Sequence, residues 1–499
     1  MSSPPTDSVR WAFNSRWLLS FRLTTAAPLH IGDGRTFRDE QRLKQKGTNN
    51  AVEYDTVITG AGTKPIIPGA SLKGVLRPVL ERLNRTAAIR LLGSTSTEHK
   101  HSPHASAATF FDGRFVSSPV LKARLPHWDQ TRGTAIATNV SIHRITRTAD
   151  EGRLFHGEYV PAGTVFTVEV AAERVQDSDI PALIEALAAF NHPDTPLRLG
   201  AHTSAGWGEM KFDSLKVHRL DAEGLKAWFA GGSVESGWDI VTAHGTDLSG
   251  NYTTKAANPA ATPAHRVPVT LRFTDFLLVH DPSNEDKLGR EDKPHHALRD
   301  PDGSPALPAR SVRGVLRARA DMIARTLGLP VCTSTQPCAP VHKADEAGSR
   351  CLVCQLFGCT GWRSLVDVAI NYEPPVAGAK LAFPDFVQDF IAIDRFMGGG
   401  APGAKFSAVP AWQPVFIGDI AVADRLASLP HPDALRGLLA LVLRDLRDGY
   451  LTFGWGAAKG YGSCNADVDV AALHALAAGL PALRALAAQS KPSASHVVS

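Results

Sequence analysis

The sequence carries two ordered copies of one series of motifs, and this duplication constrains its fold more than any other feature. The first matched pair is IIPGASLKGVLRPVLER at residues 66–82 and ALPARSVRGVLRARA at residues 306–320. Aligning their prolines gives an offset of 308 − 68 = 240. Each segment leads from a short apolar strand through a proline turn into a helix, with Ser71 or Ser311 predicted at the N-cap. Self-similarity at this scale predicts two tandem modules.

Three further motif pairs keep the same order along the chain. They are residues 91–94 with 356–359, residues 142–145 with 393–396, and LGAHTSAGWGEM at 199–210 with FGWGAAKGYGSC at 453–464. The offset rises from 240 to 356 − 91 = 265, so the second copy contains an insertion of about 265 − 240 = 25 residues before Leu356. Because chance does not readily give four ordered matches, the duplication is the basis of the domain prediction.

The domain prediction follows from the positions of the two copies. Residues 249–265 are rich in Ala, Pro and Thr without apolar periodicity, which predicts a linker. The first module is therefore predicted at 1–248 and the second at 266–490, with the insertion at about 330–360 and a disordered tail at 491–499. Each copy is predicted to run strand, helix, strands, helix, strand. This order indicates an α+β chain of two tandem ferredoxin-like (RRM-like) modules.

Length and composition limit the class of protein. A chain of 499 residues exceeds what one hydrophobic core usually supports, and a hydrophobic content of 43% supplies cores for two modules. A net charge of +4 permits a polyanionic partner without requiring one. The sequence has no unbroken apolar run long enough for a membrane span and no apolar secretory signal at its N-terminus. We therefore expect no membrane partner and a cytoplasmic location.

The first helix of each copy has a cation close to its N-terminus. Lys73 and Arg313 each precede a glycine at the same place, and free helix-start amides beside a cation form an anion site suited to a phosphate. Arg77 and Arg317 follow one turn later. A capped helix with solvated cations is the alternative, but the recurrence in both copies favours contact with an RNA backbone.

Each copy ends in a glycine-rich turn that leads into a strand. The turns GAHTSAGWG and GWGAAKGYG allow the main chain to approach phosphates closely. They also carry His202 and Trp207, or Lys459 and Tyr461, as charged or stacking side chains. An ordinary tight turn between a helix and a strand is the alternative. The glycine spacing does not match that of a nucleotide-binding P-loop.

These motifs resemble the RAMP (repeat-associated mysterious protein) superfamily, and within it the backbone subunits of type III CRISPR effector complexes. The resemblance is carried by IIPGASLKGVLR, CLVCQLFGCTGW, IAIDRFMGGGAPGAKF and the two glycine-rich turns, and it covers nearly the whole chain, once per half. It implies a subunit that binds a guide RNA (crRNA), assembles along it with other subunits of the effector complex, and presents it to a complementary target RNA.

The resemblance also implies a β-hairpin thumb in each copy that wedges between guide bases. In the candidate hairpins, His143 precedes Arg144 where the second copy has Asp394 before Arg395. Unstacking one base costs on the order of a few kcal/mol, which new contacts can offset. The residues predicted to contact RNA are Ser71, Lys73, Arg77, His143, Arg144, His202, Trp207, Ser311, Arg313, Arg317, Arg395, Lys405, Lys459 and Tyr461.

Five of the six cysteines lie between residues 332 and 359, inside or next to the insertion. Clustered cysteines in a reducing compartment indicate metal ligands rather than disulfides, and a CxxC pair at 351 and 354 with two cysteines upstream suits structural Zn²⁺. Reduced buried thiols without a ligand role are the alternative. The predicted ligands are Cys332, Cys338, Cys351 and Cys354, with Cys359 or His342 as substitutes.

The resemblance further implies a catalytic aspartate on the segment before the proline-turn helix, which cleaves target RNA with a divalent cation such as Mg²⁺. In EYDTVITGAGTKPIIPG that aspartate is Asp55, with Asp33 as a weaker candidate, and an exposed turn residue is the alternative. In the second copy the alignment places Pro294 there, which predicts that the second module is the inactive half. Asp292 and His295 are its nearby weaker candidates.

Other functions remain open on the sequence alone. A non-catalytic scaffold that binds only guide RNA and neighbouring subunits would share every motif except a working Asp55. A guide-processing endoribonuclease of the same superfamily would use metal-independent acid–base chemistry, with His30 as its candidate residue. A zinc enzyme is disfavoured, because four protein ligands leave the predicted metal no open position.

Overall fold

The computed structural model describes residues 15–38, 52–94, 104–143, 146, 148–193, 196–231, 239–252, 265–281, 294–333, 336–375 and 386–490. Of the predicted residues and segments, Arg144, Asp292, linker residues 253–264 and the tail at 491–499 lie outside the described residues.

Each half of the chain contains its own strands and helices. The first-module strands are β1 (Ser15–Thr25), β2 (Gly32–Arg38), β3 (Glu53–Val57), β4 (Ile66–Ile67), β5 (Ala108–Phe110), β6 (Gly113–Ser117), β7 (Ala135–Ile142), β8 (Ala149–Tyr159), β9 (Val165–Glu173), β10 (Met210–Asp221) and β11 (Thr246–Asp247). The first-module helices are α1 (Gly69–Leu83), α2 (Arg85–Leu92), α3 (Asp179–Ala188), α4 (Ala222–Gly231) and α5 (Asp239–His244).

The second module follows the same plan. Its strands are β12 (His265–Phe273), β13 (Phe276–Leu277), β14 (His280–Asp281), β15 (His295–Ala297), β16 (Val366–Glu373), β17 (Gln388–Ile393), β18 (Gly400–Val409), β19 (Ala411–Trp412), β20 (Val415–Val422) and β21 (Cys464–Val468). Its helices are α6 (Ala309–Thr326), α7 (Leu352–Phe357), α8 (Pro432–Arg447), α9 (Val470–Ala477) and α10 (Leu480–Gln489).

The main sheets of the two modules have the same strand order. In the first module the strands run β10-β1-β9-β6, with β11 and β4 at the outer edges and β5 also paired to β9. In the second module they run β21-β12-β20-β16. Counted along the chain within each set of four, both orders read fourth, first, third, second. The prediction of a mixed chain of helices and sheets with two tandem modules is therefore confirmed.

Helices cover one face of each main sheet. On β9, Phe166, Val168 and Val170 are fully buried and alternate with less buried residues, so the apolar side chains share one face. Leu72 and Leu76, one turn apart on α1, belong to the same core. Burying each such side chain contributes about 1.5–3 kcal/mol. The second core is built in the same way around β12, β20, α6 and α8.

A smaller sheet in each module carries a long β-hairpin. Its order is β2-β3-β8-β7 in the first module and β14-β15-β18-β17 in the second. The hairpins β7–β8 and β17–β18 are antiparallel, as their sequences predict. In each of these sheets one hairpin strand pairs in parallel with a shorter strand: β8 with β3 in the first module, and β18 with β15 in the second. The duplication thus extends to both sheets of each module.

The first helix of each module begins earlier than predicted. Pro68 and Pro308 occupy the N-cap, and Ser71 and Ser311 lie in the first turn, so the predicted N-cap was wrong. The reason is that proline, with φ at −57° and −58° in the two copies, leads directly from strand to helix. In α1 the first amide is capped by Asp112, whose Oδ1 accepts its hydrogen bond at 2.9 Å.

The modules also repeat individual contacts. Arg77 on α1 donates to the carbonyl of Gly93 at 3.0 Å, and Arg317 on α6 donates to the carbonyl of Gly358 at 2.8 Å. Both glycines follow a short helix and have positive φ, 76° and 85°, a conformation that favours glycine. The motif pairs with offsets of 240 and 265 are therefore equivalent in space, and the insertion lies between α6 and α7.

The two modules meet at the glycine-rich turn of the first. A 3₁₀ turn there, Thr203–Ala205, contacts β16 and α6. A Cβ added to Gly206 would lie 3.0 Å from the Cβ of Ala309, so glycine permits this close approach. Next to it, Trp207 packs under the guanidinium of Arg310, with 5.3 Å from Cζ to the ring centre.

The segment Val470–Gln489, which forms α9 and α10, is long and apolar enough to cross a membrane by length and composition alone. The structure places it on the second module, where Leu473, Leu476 and Leu483 are buried and both helices contact α8. These contacts belong to a helix pair that packs on a protein core.

Candidate functional site

Asp55 lies on the exposed face of β3. Tyr54 and Thr56 on either side of it are buried, so the carboxylate points away from the protein. β3 pairs with β2 along one edge and meets β8 at Gly157 on the other. The carboxylate is therefore accessible to a cation or a substrate on a strand that is held from both sides.

A buried ion pair anchors β3 close to Asp55. The Glu158 carboxylate is fully buried and accepts hydrogen bonds from Arg132 Nε at 2.8 Å and Thr134 Oγ1 at 2.5 Å. It also accepts a hydrogen bond from the Val57 amide at 3.0 Å, two residues after Asp55. The hydrogen bond with Glu158 raises the pKa of Arg132. Glu158 thus fixes the strand that carries the exposed aspartate.

Replacing Glu158 with Gln is expected to destabilise the protein by about 2–3 kcal/mol, because the half-buried Arg132 would lose its counter-charge and the charge-assisted hydrogen bonds to the buried carboxylate would be lost. Chemical unfolding measures this loss. Glu53→Gln is the matched control, since Glu53 pairs at 2.7 Å with the largely exposed Arg38 and such a pair contributes about 0–1 kcal/mol. Equal losses in the two variants would contradict an anchoring role for Glu158.

His202 packs against two other rings in the first module. Its ring centre is 5.9 Å from that of His30 and 5.2 Å from that of Trp207. Desolvation lowers the pKa of His202, and His30 and Arg310 lower it further. The negative charge of Asp55 raises the pKa of His202, which is a smaller effect in the opposite direction. A neutral imidazole can accept a proton.

The backbone of His202 is itself unusual. Its φ of 58° lies in the left-handed region, where the second module has Gly456 with φ 83°. Holding a non-glycine residue in this backbone conformation costs on the order of 1 kcal/mol, and residues in such conformations cluster at functional sites. The first module therefore keeps an imidazole at a place where glycine would be favoured.

His30 and Asp33 are both engaged in local structure. His30 is buried, and its Nδ1 lies 2.6 Å from the carbonyl oxygen of Glu158, which fixes the ring. Asp33 accepts hydrogen bonds from Thr56 Oγ1 at 2.7 Å and the Arg35 amide at 2.9 Å. Desolvation raises the pKa of Asp33, but these hydrogen bonds lower it further, so the pKa lies below its ordinary value. His30 is therefore covered, whereas the exposed Asp33 carboxylate is held by its local hydrogen bonds.

His295 occupies the place of Asp55 in the second module. β15 pairs with β18 at His295–Ala408, as β3 pairs with β8 at Asp55–Gly157. The offsets, 295 − 55 = 240 and 408 − 157 = 251, are those of the helix and hairpin motifs. The alignment that placed Pro294 there was wrong by one residue, because the parallel strand pairing sets the register.

Aromatic rings surround His295. Its Nδ1 lies 3.1 Å from Nε2 of His280, and its ring centre is 5.7 Å from that of Trp455. Beside them Phe390 and Phe406 stack with their ring centres 4.9 Å apart. The second module therefore has imidazoles packed on rings where the first module has an exposed carboxylate.

The predicted phosphate-contacting cations differ in availability. Arg77 and Arg317 already donate to main-chain carbonyls. Arg313 donates to the carbonyl of Phe357, and burial together with the charge of Arg317 lowers the pKa of Arg313 to about 10. Lys73 is half-buried and has no ion pair within the described part of the chain, and burial followed by Arg77 lowers its pKa. Lys73 is thus the most available of the four.

Trp207 and Tyr461, the two aromatic residues of the glycine-rich turns that were predicted to contact RNA, are buried. Trp207 is 8% exposed and Tyr461 is 2% exposed, and the hydroxyl of Tyr461 donates to Gln388. Burial raises the pKa of Tyr461 to about 12. The base-stacking role expected for these two rings does not fit this burial, because packing covers their faces. The exposed Lys459 lies over the half-exposed Trp455, with 5.2 Å from Nζ to the ring centre.

Both hairpins expose apolar side chains. Phe155 on the first hairpin is 54% exposed, and Phe396 on the second is 99% exposed. Large exposed apolar groups mark interaction sites. The predicted contact residues on these hairpins are His143, Arg395 and Lys405. The structure thus places exposed apolar side chains and predicted RNA-contact residues together on each hairpin.

A groove of about 2090 Å³ runs between the modules. The hairpin and glycine-rich turn of the first module form one side, and α6 with the glycine-rich turn of the second form the other. Its charged residues are Arg299, Arg310, Arg313, Arg317, Arg319 and Arg325 against Glu209, Asp300, Asp302 and Asp321. The excess of arginine makes the groove suited to a polyanion.

Four thiols meet in the insertion of the second module. The Sγ atoms of Cys332, Cys338, Cys351 and Cys354 lie within 4.8 Å of one another. Cys332 Sγ is 3.4 Å from Cys354 Sγ and 3.8 Å from Cys351 Sγ. A disulfide needs about 2.05 Å, whereas four Zn–S bonds of about 2.3 Å in a tetrahedron separate the sulfurs by roughly 3.8 Å. The cluster can therefore hold a metal ion such as zinc.

Arginines of α6 connect the thiol cluster to the groove. Arg317 Nη2 lies 3.3 Å from Cys354 Sγ, and Arg325 Nη2 donates to the carbonyl of Cys332 at 2.9 Å. Such donors offset thiolate charge and orient the ligands. The substitutes Cys359 and His342 do not belong to the cluster among the described residues.

Glu158, Arg132, His280 and Arg310 were missed by the sequence analysis. Most of their partners lie far away in the chain, so no local pattern marks them. Arg310 had one detectable signal: the offset of 240 pairs it with Ala70, so the second copy has gained a cation at the start of its helix.

Comparison with known proteins agrees with the repeated topology. The chain matches the RAMP superfamily over residues 22–211 and again over residues 228–465. It is also similar to the CRISPR system Cms endoribonuclease Csm3 of Mycobacterium tuberculosis (strain ATCC 25618 / H37Rv), with 26% identity over 213 residues that cover 39% of this chain and 85% of that protein. The chain belongs to the RAMP superfamily and contains two tandem modules of it.

Proposed function

We propose that this chain is a guide-RNA-binding backbone subunit of a type III CRISPR RNA-targeting complex in the cytoplasm. The observation that carries the proposal is the arginine-rich groove, which is lined by equivalent glycine-rich turns from both modules. A strand bound there would contact both turns, the first through residues 205–207 and the second through residues 454–457. The similarity to a CRISPR system endoribonuclease supports the same class of complex.

The hairpins would act as the thumbs of this subunit. Exposed apolar side chains such as Phe155 and Phe396 are suited to insertion between bases. Unstacking a base costs on the order of a few kcal/mol, and stacking and cation contacts can return a similar amount. His143, Arg395, Lys405 and Lys459 would contact the neighbouring phosphates or bases. Complementary target RNA would then pair with the displayed guide.

The domain limits and the ferredoxin-like assignment form part of the proposal. The shared strand order, fourth, first, third, second, supports a ferredoxin-like unit in each module. The last strand of the first module ends at Asp247, and the first strand of the second begins at His265. A linker at 249–265 between modules at 1–248 and 266–490 is consistent with these limits.

Asp55 would make the first module the cleaving half. An exposed carboxylate can share a divalent cation such as Mg²⁺ with RNA phosphates, since Mg²⁺ commonly binds through one or two carboxylates plus substrate oxygens. His202, whose pKa is lowered by desolvation, would accept a proton from an attacking 2′-hydroxyl. The second module has His295 at this position, so it would bind RNA without cutting it.

The four-cysteine cluster would bind structural Zn²⁺. Four protein thiolates complete a tetrahedral site and leave no position for water, which fits a structural site rather than a catalytic one. The insertion that carries it contributes few residues to the core of the second module. The metal would therefore hold this segment against α6.

RNA that co-purifies with the full-length chain tests the proposal. We expect guide RNAs that share a repeat-derived tag, and sequencing identifies them. A chain that carries only random cellular RNA, or none in the presence of its partner subunits, would contradict a guide-binding role. The guide-processing alternative predicts cleavage of precursor RNA that resists EDTA and is lost in His30→Ala.

A further inference from the structure

Arg310 is the least engaged arginine on the groove face of α6. Arg310, Arg313 and Arg317 are spaced at three and four residues, so they share one face of the helix. Arg313 and Arg317 donate to main-chain carbonyls at the end of α7. Within the described residues Arg310 has no hydrogen bond and no ion pair, and it lines the groove. Its five N–H donors are therefore available to a ligand.

Trp207 of the first module lies under this guanidinium. The Cζ atom of Arg310 lies 5.3 Å from the ring centre of Trp207. The ring is itself held by Tyr159 at 5.5 Å and His202 at 5.2 Å between centres. The ring face attracts the guanidinium, which keeps this cation at the wall of the groove. The two modules must both be present to build this arrangement.

The charge of Arg310 is not balanced by the protein around it. Burial lowers the pKa of Arg310, and the electrostatic effect of Tyr159 raises it by a smaller amount. An arginine in such a position gains most from an oxyanion that accepts two parallel hydrogen bonds. In the first module the equivalent residue is Ala70, and the helix start there is capped by Asp112. An arginine at this place on the first helix is therefore found in the second module, at the junction, and not at the equivalent place in the first.

We propose that Arg310, positioned by Trp207, binds one phosphate group at the junction between the modules. This inference rests on the proposed function, in which that phosphate belongs to the RNA strand in the groove. Arg310 touches the phosphate, whereas Trp207 is a positioning residue. The site would fix the register of the strand relative to the two modules, because it is present once for each tandem chain.

Salt-dependent binding of a labelled single-stranded RNA to the full-length chain tests the site. Arg310→Gln is expected to weaken binding by about tenfold and to reduce the slope of log affinity against log salt by about 0.7, the value for one phosphate contact on a single strand. Arg310→Lys should keep most of the slope and lose part of the affinity. Lys226→Gln is the control, because Lys226 is exposed and lies outside the groove.

Inorganic phosphate provides a second probe that does not depend on RNA. Phosphate should raise the melting temperature of the wild-type chain and of Lys226→Gln more than that of Arg310→Gln. Unchanged slope and unchanged phosphate response in Arg310→Gln would overturn the site. If the wild-type chain responds to phosphate but binds no RNA, the proposed function fails while the anion site stands.

Discussion

Replacing Asp55 with Asn in the assembled guide complex is expected to lower Mg²⁺-dependent cleavage of a matched target RNA by on the order of 10³-fold or more. Asn keeps the size of the side chain and its place on the exposed face of β3, but it lacks the charge that holds a divalent cation. Guide binding and target binding should persist, because the groove lies between the modules and does not include Asp55. Single-turnover cleavage of a labelled target measures the effect.

The second module supplies the matched variant for this experiment. His295 occupies the equivalent register position, so His295→Ala should leave the rate and the cut sites unchanged. Loss of cuts in His295→Ala would show that the second module also cleaves. Unchanged cleavage in Asp55→Asn, with the complex intact, would favour the non-catalytic scaffold. EDTA should abolish cleavage by the wild-type complex.

The duplication was visible in the sequence because both copies keep the residues that shape the backbone. Proline before the first helix and glycines with positive φ in the last turn are required by local geometry, so they recur at fixed offsets. The same holds for Arg77 and Arg317, which satisfy the ends of equivalent short helices. Cysteine spacing in the insertion also predicted the thiols that the structure brings together.

Features that depend on pairing or on distant contacts were not predictable in this way. The register that places His295 at the position of Asp55 comes from a parallel contact with β18, more than 100 residues away in the chain. The burial of Trp207 and Tyr461 depends on packing against other segments. A glycine-rich motif gives no information about which face of its aromatic residue is covered.

Removing the proposed zinc ion is expected to destabilise the second module strongly. Structural zinc contributes on the order of 10 kcal/mol of apparent free energy in small zinc domains at neutral pH. Here the cluster also anchors two arginines of α6, Arg317 through Cys354 and Arg325 through Cys332. Cys351→Ser or a strong chelator should therefore expose the insertion to proteolysis and increase hydrogen exchange in α6. Exchange in the first-module core around β1 and β9 should stay as in the wild type.

Cys359→Ser separates metal binding from a general effect of losing a thiol. Cys359 lies outside the four-thiol cluster among the described residues, and the first copy has Ser94 at the equivalent place, so serine fits there. This variant should retain one zinc ion per chain by elemental analysis and keep the protease resistance of the insertion. Cys351→Ser should lose the ion. If the wild-type chain contains no zinc and Cys351→Ser keeps the protease resistance of the insertion, the four cysteines are reduced thiols without a ligand role, and α6 is held by packing and by its arginine contacts alone.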